Sequence, residues 1–146
     1  MNLAKLDKLF DEYEIAFDRL DVASIAKNYA DTFMSAGPKG AAAMDKKEFF
    51  QKSAEVGNFY KSIGQKEGKI ISKEVLHISN EYCLVTVHWA ATFEKTGDEW
   101  IQFDVSYLVS EINDEMKIIL FISHEDEEEA LKKLGLLPLS SENLTP

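Results

Sequence analysis

The chain has 146 residues, a size that one domain with one hydrophobic core fills. Hydrophobic residues make up 45% and charged residues 29%, which excludes a disordered composition. The formal net charge of −10 repels phosphate backbones and anionic lipid surfaces, so neither nucleic acid nor membrane is an expected partner.

No apolar run approaches the roughly 20 residues of a membrane helix. The opening Met1-Asn2-Leu3-Ala4-Lys5 turns charged at once and lacks a signal-peptide core, which predicts a cytoplasmic protein. Cys83, the sole cysteine, lies in the apolar run Cys83-Leu84-Val85 with no cation adjoining it. It reads as a buried structural thiol.

Leu3, Leu6, Phe10, Tyr13, Phe17 and Leu20 recur at spacings of three and four and draw one helical stripe. Asp21 caps a second, shorter helix carrying Val22, Ile25, Ala26 and Tyr29. Residues 31–40 form a short strand broken at Gly37-Pro38-Lys39-Gly40. Asp45, with Glu48 three residues on, opens a third helix bearing Phe49, Phe50, Val56 and Tyr60, which stops at Gly64.

From Lys69 the period becomes two. Four strands are predicted, at Lys69 to Ser79, Tyr82 to Lys95, Trp100 to Ile112 and Met116 to Ser123. Asn80-Glu81, Gly97-Asp98 and Asn113-Asp114 (or Asp114-Glu115) join them into an antiparallel meander. An acidic helix from Glu127 to Leu134 ends at Gly135 and Pro138. One domain over residues 1–135 and a loose tail over 136–146 are expected. Helices followed by a meander make an α+β chain, with the N-terminal helices packed on a curved, mainly antiparallel sheet.

Two-residue loops would fix which side chains share a face. With Gly97-Asp98 as the loop, Ala91 lies opposite Asp104 and Trp89 opposite Ser106. The helix-covered face then holds Trp89, Ala91, Phe93, Asp104, Ser106, Leu108, Phe121 and Ser123. The other holds all three histidines, His77, His88 and His124, together with Phe103, Val105, Tyr107, Val109 and Ile118. Both faces are rich in apolar groups, so a second copy of the chain is expected against the uncovered face. The alternative cover is the C-terminal run Leu134 to Leu139 folding back.

Asp104 would sit among large apolar side chains, where a carboxylate must be paired, wetted or raised in pKa. The run His124-Glu125-Asp126-Glu127-Glu128-Glu129 reads as a solvated helix start, and no metal site is expected.

The order helix, helix, Gly/Pro-broken strand, helix, meander resembles the nuclear transport factor 2-like superfamily, SnoaL-like proteins included. Similarity runs over residues 3 to 126. It is carried by Tyr29-Ala30-Asp31, Gly37-Pro38-Lys39-Gly40, Phe103-Asp104-Val105-Ser106-Tyr107-Leu108 and Ile122-Ser123-His124-Glu125-Asp126.

The resemblance implies a conical cavity between helices and sheet, and lyase-, isomerase- or cyclase-like chemistry with no metal or cofactor. It implies Phe17, Tyr29, Phe33, Trp89, Ser106, Phe121 and Ser123 as ligand-lining residues; by type they suit an ordinary core equally. Its ligand would be a small apolar or carbonyl-bearing molecule. Ketosteroid isomerase, a member, polarises its substrate with a first-helix tyrosine and a strand aspartic acid while a separate carboxylate moves the proton. Aligning the Gly/Pro turns implies Tyr13 and Asp104 as the counterparts of the first two. At the base's position, just before Pro38, this chain has Gly37. A non-catalytic reading has the Tyr13 hydroxyl simply satisfying Asp104, in a homodimeric module.

Overall fold

The computed structural model describes residues 1–126 together with Glu129, Leu131, Lys132 and Gly135. The tail over 136–146, the Leu134–Leu139 fold-back and most of the acidic helix lie outside the described residues. Glu129, Leu131 and Lys132 are helical, and Leu131 is buried.

Helix α1 (Leu3–Arg19) starts where the Asn2 side chain accepts a hydrogen bond from Lys5 N, and it ends at Leu20 in a left-handed conformation. Its buried face is Leu6, Leu9, Phe10, Tyr13 and Ala16. Leu3, at the end of the predicted stripe, is exposed instead. Asp21 accepts from Ser24 N to cap α2 (Val22–Ala26). Asp45 accepts from Glu48 N at 2.8 Å to open α3 (Lys46–Ser62). Capping of this kind satisfies N–H groups the first turn leaves unpaired.

The strands are β1 (Tyr29–Gly37), β2 (Gly40–Asp45), β3 (Gln65–His77), β4 (Tyr82–Phe93), β5 (Ile101–Ile112) and β6 (Glu115–Ser123). They form one six-stranded sheet in the order β2-β1-β6-β5-β4-β3, antiparallel except where β1 runs beside β6. The expected α+β architecture of helices on a curved, mainly antiparallel sheet is present. Helix α1 lies along the edge strand β3 and closes it. Glu14 accepts from Ile70 N at 2.6 Å and Asp18 from Gly68 N at 2.9 Å. Those N–H groups would otherwise offer an open edge to another chain.

The register of β5 differs from the expectation, and that difference relocates the chemistry. Chain reversal between β4 and β5 is not a two-residue turn at Gly97-Asp98. A 3₁₀ turn, Glu94–Thr96, intervenes, and Thr96 Oγ1 accepts from Phe93 N while donating to Phe93 O. The pairs become Ala91↔Ile101, Trp89↔Phe103 and His88↔Asp104. An odd shift of register exchanges the faces of a strand.

The next reversal is the expected Asn113-Asp114 dipeptide, both residues at positive φ and closed by Ile112↔Glu115. A bulge between Leu108 and Val109 then returns Phe121 and Ser123 to the helix side, opposite Tyr107 and Val105. Phe103, Val105, Tyr107, Val109 and Ile118 therefore join Trp89 under the helices. Asp104, Ser106 and Leu108 move to the outer face with His88, Leu120 and His124. His77 pairs with Cys83, whose alternation with Val85 puts it on the helix side rather than with the other histidines.

Candidate functional site

Between the helices and the concave face lies a cavity of about 120 Å³. Its inner wall is aromatic. Tyr13, from the buried stripe of α1, packs against Trp89 (centroids 5.4 Å apart), Tyr107 (5.6 Å) and Tyr29 (6.2 Å). Phe17, one turn further on, meets Trp89 edge-on at 4.9 Å. Half-buried Leu20, Val22, Ile25, Ser53 and Val56 form the rim, so the mouth lies between α2 and α3.

The polar atoms of the wall are ordered. The Tyr13 and Tyr29 hydroxyls are hydrogen bonded at 2.9 Å, and the Trp89 indole N–H donates to the Tyr107 hydroxyl at 3.0 Å. Burial pushes the Tyr29 hydroxyl well above the ordinary phenol range, and the neighbouring Tyr13 and Tyr107 add to the shift. Tyr29 is therefore a neutral phenol at any physiological pH. Among the described residues, the lining contains no carboxylate, imidazole, ammonium or guanidinium group. Such a surface can hold a ring and bond one hydroxyl or carbonyl, but it offers nothing that takes up a proton near neutrality.

Of the residues expected here, Tyr13, Phe17, Tyr29, Trp89, Phe121 and Ser123 line the cavity. Phe33 is buried one layer behind, packed on Tyr29, Phe49 and Phe121. Asp104 and Ser106 are corrections. Both lie on the outer face, because the 3₁₀ turn leaves Ala91 opposite Ile101 rather than Asp104, an odd shift of the β5 register. No Tyr13–Asp104 pair forms. The loop logic also hid Tyr107, Val105 and Phe103, which line the cavity. The alternation of β5 itself could have found them, since Phe103, Val105, Tyr107 and Val109 make a uniformly apolar face.

Gly37, at the base's position in the resemblance, does not line this cavity but a neighbouring depression that shares Ser123 with it. A Cβ built there would meet Ser123 Cβ at 3.7 Å, so a side chain would fit, but the residue brings none.

The outer face holds a separate polar cluster. His88 Nδ1 lies 2.7 Å from Asp104 Oδ1, and its Nε2 lies 2.7 Å from Gln102 Oε1. With an acceptor at each nitrogen, the imidazolium is favoured. Bonds first to Gln102 and then to Asp104 raise its pKa above 6.5. Alongside, Ser106 Oγ lies 2.8 Å from Thr86 Oγ1 and 2.6 Å from His124 Nε2. The expected register set Asp104 and the histidines on opposite faces; here Asp104 pairs with His88 and Ser106 with His124, and no Asp-His-Ser relay runs through them. Cys83 is buried as expected, which pushes its thiol pKa up.

A family model described as NTF2-like protein (DUF6841) matches residues 4–126. No curated protein matches the sequence. Several solved structures share the fold. An NTF2-like protein of unknown function from Shewanella oneidensis MR-1 is 21% identical, with 86% of this chain and 100% of that chain covered and a TM-score of 0.65. One from Pseudomonas putida KT2440 is 11% identical, with coverage of 84% and 85% and a TM-score of 0.69. A ketosteroid isomerase-like protein from Erwinia carotovora atroseptica SCRI1043 is 19% identical, with coverage of 84% and 94% and a TM-score of 0.61. At such identities the likeness is one of fold. Together with the family match over most of its length, the architecture makes this chain a member of the NTF2-like DUF6841 family.

Proposed function

We propose that this protein binds a small, uncharged, ring-bearing molecule with one hydroxyl or carbonyl group in the cavity between α1, α3 and the concave sheet. The supporting observation is the wall itself, in which aromatic rings carry paired tyrosine hydroxyls and an indole N–H and no ionised group intrudes. Its size is comparable with the roughly 150 Å³ apolar cavity that admits a benzene ring. Any chemistry performed there is electrophilic, a tyrosine O–H polarising a bound carbonyl. A ketosteroid-isomerase-type proton transfer lacks both its strand acid and its base. A thermal-shift comparison of phenol with benzoate tests the reading. Phenol should raise the melting temperature and benzoate should not; a preference for the anion contradicts it.

A second reading, compatible with the first, concerns the outer face. Leu76, Leu84, Leu108, Leu120 and Met34 are consecutive cross-strand neighbours, an apolar row running from β3 to β1. Leu76 and Met34 are 62% and 40% exposed. We propose that a second copy of the chain covers this row about a two-fold axis, since one self-complementary patch then buries itself on both subunits.

A further inference from the structure

A second void, of about 60 Å³, adjoins the main cavity, with Ala91, Phe93, Ile101 and Leu131 in its apolar wall. Phe17, Tyr60 and Phe103 line both voids, so the same three rings stand between them. Phe17 and Phe103 are only half-buried, and meet edge-on at 6.3 Å. A partition of side-chain rings yields more readily than one of backbone, because rotamer changes suffice to open it. The polar residues that also line the second void are engaged elsewhere: Gln102 Oε1 with His88, and Glu125 Oε2 by accepting from Asp104 N.

One glycine lies against the partition. A Cβ built on Gly68 would lie 2.6 Å from Phe17 Cε2 and 2.7 Å from Cδ2, so the ring rests directly on the β3 backbone. Gly68 has no left-handed φ, and alanine would suit its backbone. The missing side chain therefore serves the Phe17 ring rather than the strand. Asp18, the residue after Phe17, holds the same point by accepting from Gly68 N.

We propose that the two voids form a single ligand channel, with Gly68 setting its width through the seating of Phe17. The ligand class is an uncharged phenol-like ring with a short unbranched alkyl arm. The ring lies beside the tyrosine hydroxyls and the arm passes Phe17, Tyr60 and Phe103 into the second void. The proposal rests on the reading that the main cavity binds a neutral ring.

Calorimetric titration with phenol, 4-ethylphenol and 4-butylphenol tests it, with circular dichroism verifying that each variant is folded. In the wild type, affinity should rise along the series by about fourfold per buried methylene until the second void is full. Gly68→Ala, which displaces the Phe17 ring, should flatten the series, read as the ratio of each alkylphenol's affinity to that of phenol for the same variant. Ala91→Leu, which fills the second void, should do the same, and Phe103→Ala should steepen it. If Ala91→Leu fails to fold, the other two variants decide. A flat wild-type series with phenol bound overturns the channel alone, as does a series equally steep in all variants. Failure of phenol itself to bind the wild type overturns the ring-binding reading, and the channel with it.

Discussion

Tyr29 and His88 are held by opposite environments, and each makes a distinct prediction. The Tyr29 hydroxyl is sealed among rings and hydrogen bonded to that of Tyr13, so it keeps its proton and is not a proton-transfer group. Tyr29→Phe should weaken phenol binding by up to about tenfold, the worth of one neutral hydrogen bond, with a near-native fold. Unchanged affinity by calorimetry would remove the hydroxyls from the binding account. Asp104→Ala, on the other side of the sheet, should leave that affinity untouched.

His88 is partly solvated, and its folded pKa is raised by Gln102 and Asp104. Its protonation therefore favours the native state. That stabilisation is fully present below the unfolded pKa of about 6.5 and is lost as pH rises through the higher folded value. His88→Gln should accordingly destabilise the protein at pH 5.5 and converge with the wild type at pH 9, measured by urea denaturation. An equal loss at both values would make the residue's role one of packing, not charge.

Elements differ in how far local sequence determined them. The caps of α2 and α3, the Gly37–Gly40 reversal and the Asn113-Asp114 turn were all legible, because each depends on side chains within three or four residues of the backbone they serve. Residue Asn113 adopts φ 53, a conformation that β-branched residues resist. Asn113→Val should cost about 1–2 kcal/mol, visible as a lower urea midpoint. An unchanged midpoint would show that the turn does not hold the hairpin.

The β4–β5 reversal was not legible from its Gly-Asp dipeptide. Its geometry is decided by the Thr96 hydroxyl folding back on Phe93, an interaction that loop length does not encode. The Leu108/Val109 bulge was equally hidden. The first moved Asp104 and Ser106 out of the candidate site and brought Tyr107 in, while the second kept Phe121 and Ser123 on the helix side. The strand's own alternation, with Gln102, Asp104, Ser106 and Ser110 against Phe103, Val105, Tyr107 and Val109, carried the right answer. A face that must be buried constrains register more strongly than the turn that leads into it.

At the scale of the whole molecule, the sheet separates two environments: an aromatic cavity under the helices and a polar cluster beside an apolar row on the outside. Among the described residues no helix is long and apolar enough to cross a membrane. With a net charge of −10 on the chain, the proposed dimer would need an uncharged centre to its contact, and the leucine row is the patch that would serve. Sedimentation should show a dimer for the wild type and a monomer for Leu108→Glu. A monomeric wild type at high concentration would end the dimer reading and leave the cavity unaffected.

The cavity is tested most directly through its own indole. The chain has two tryptophans, Trp89 in the cavity wall and Trp100 outside it beneath the Lys69 ammonium. In a ¹⁵N-labelled sample titrated with phenol, the Trp89 indole N–H signal should shift and saturate while that of Trp100 stays in place. Two stationary signals, or two that drift together without saturating, would contradict a ring-binding cavity.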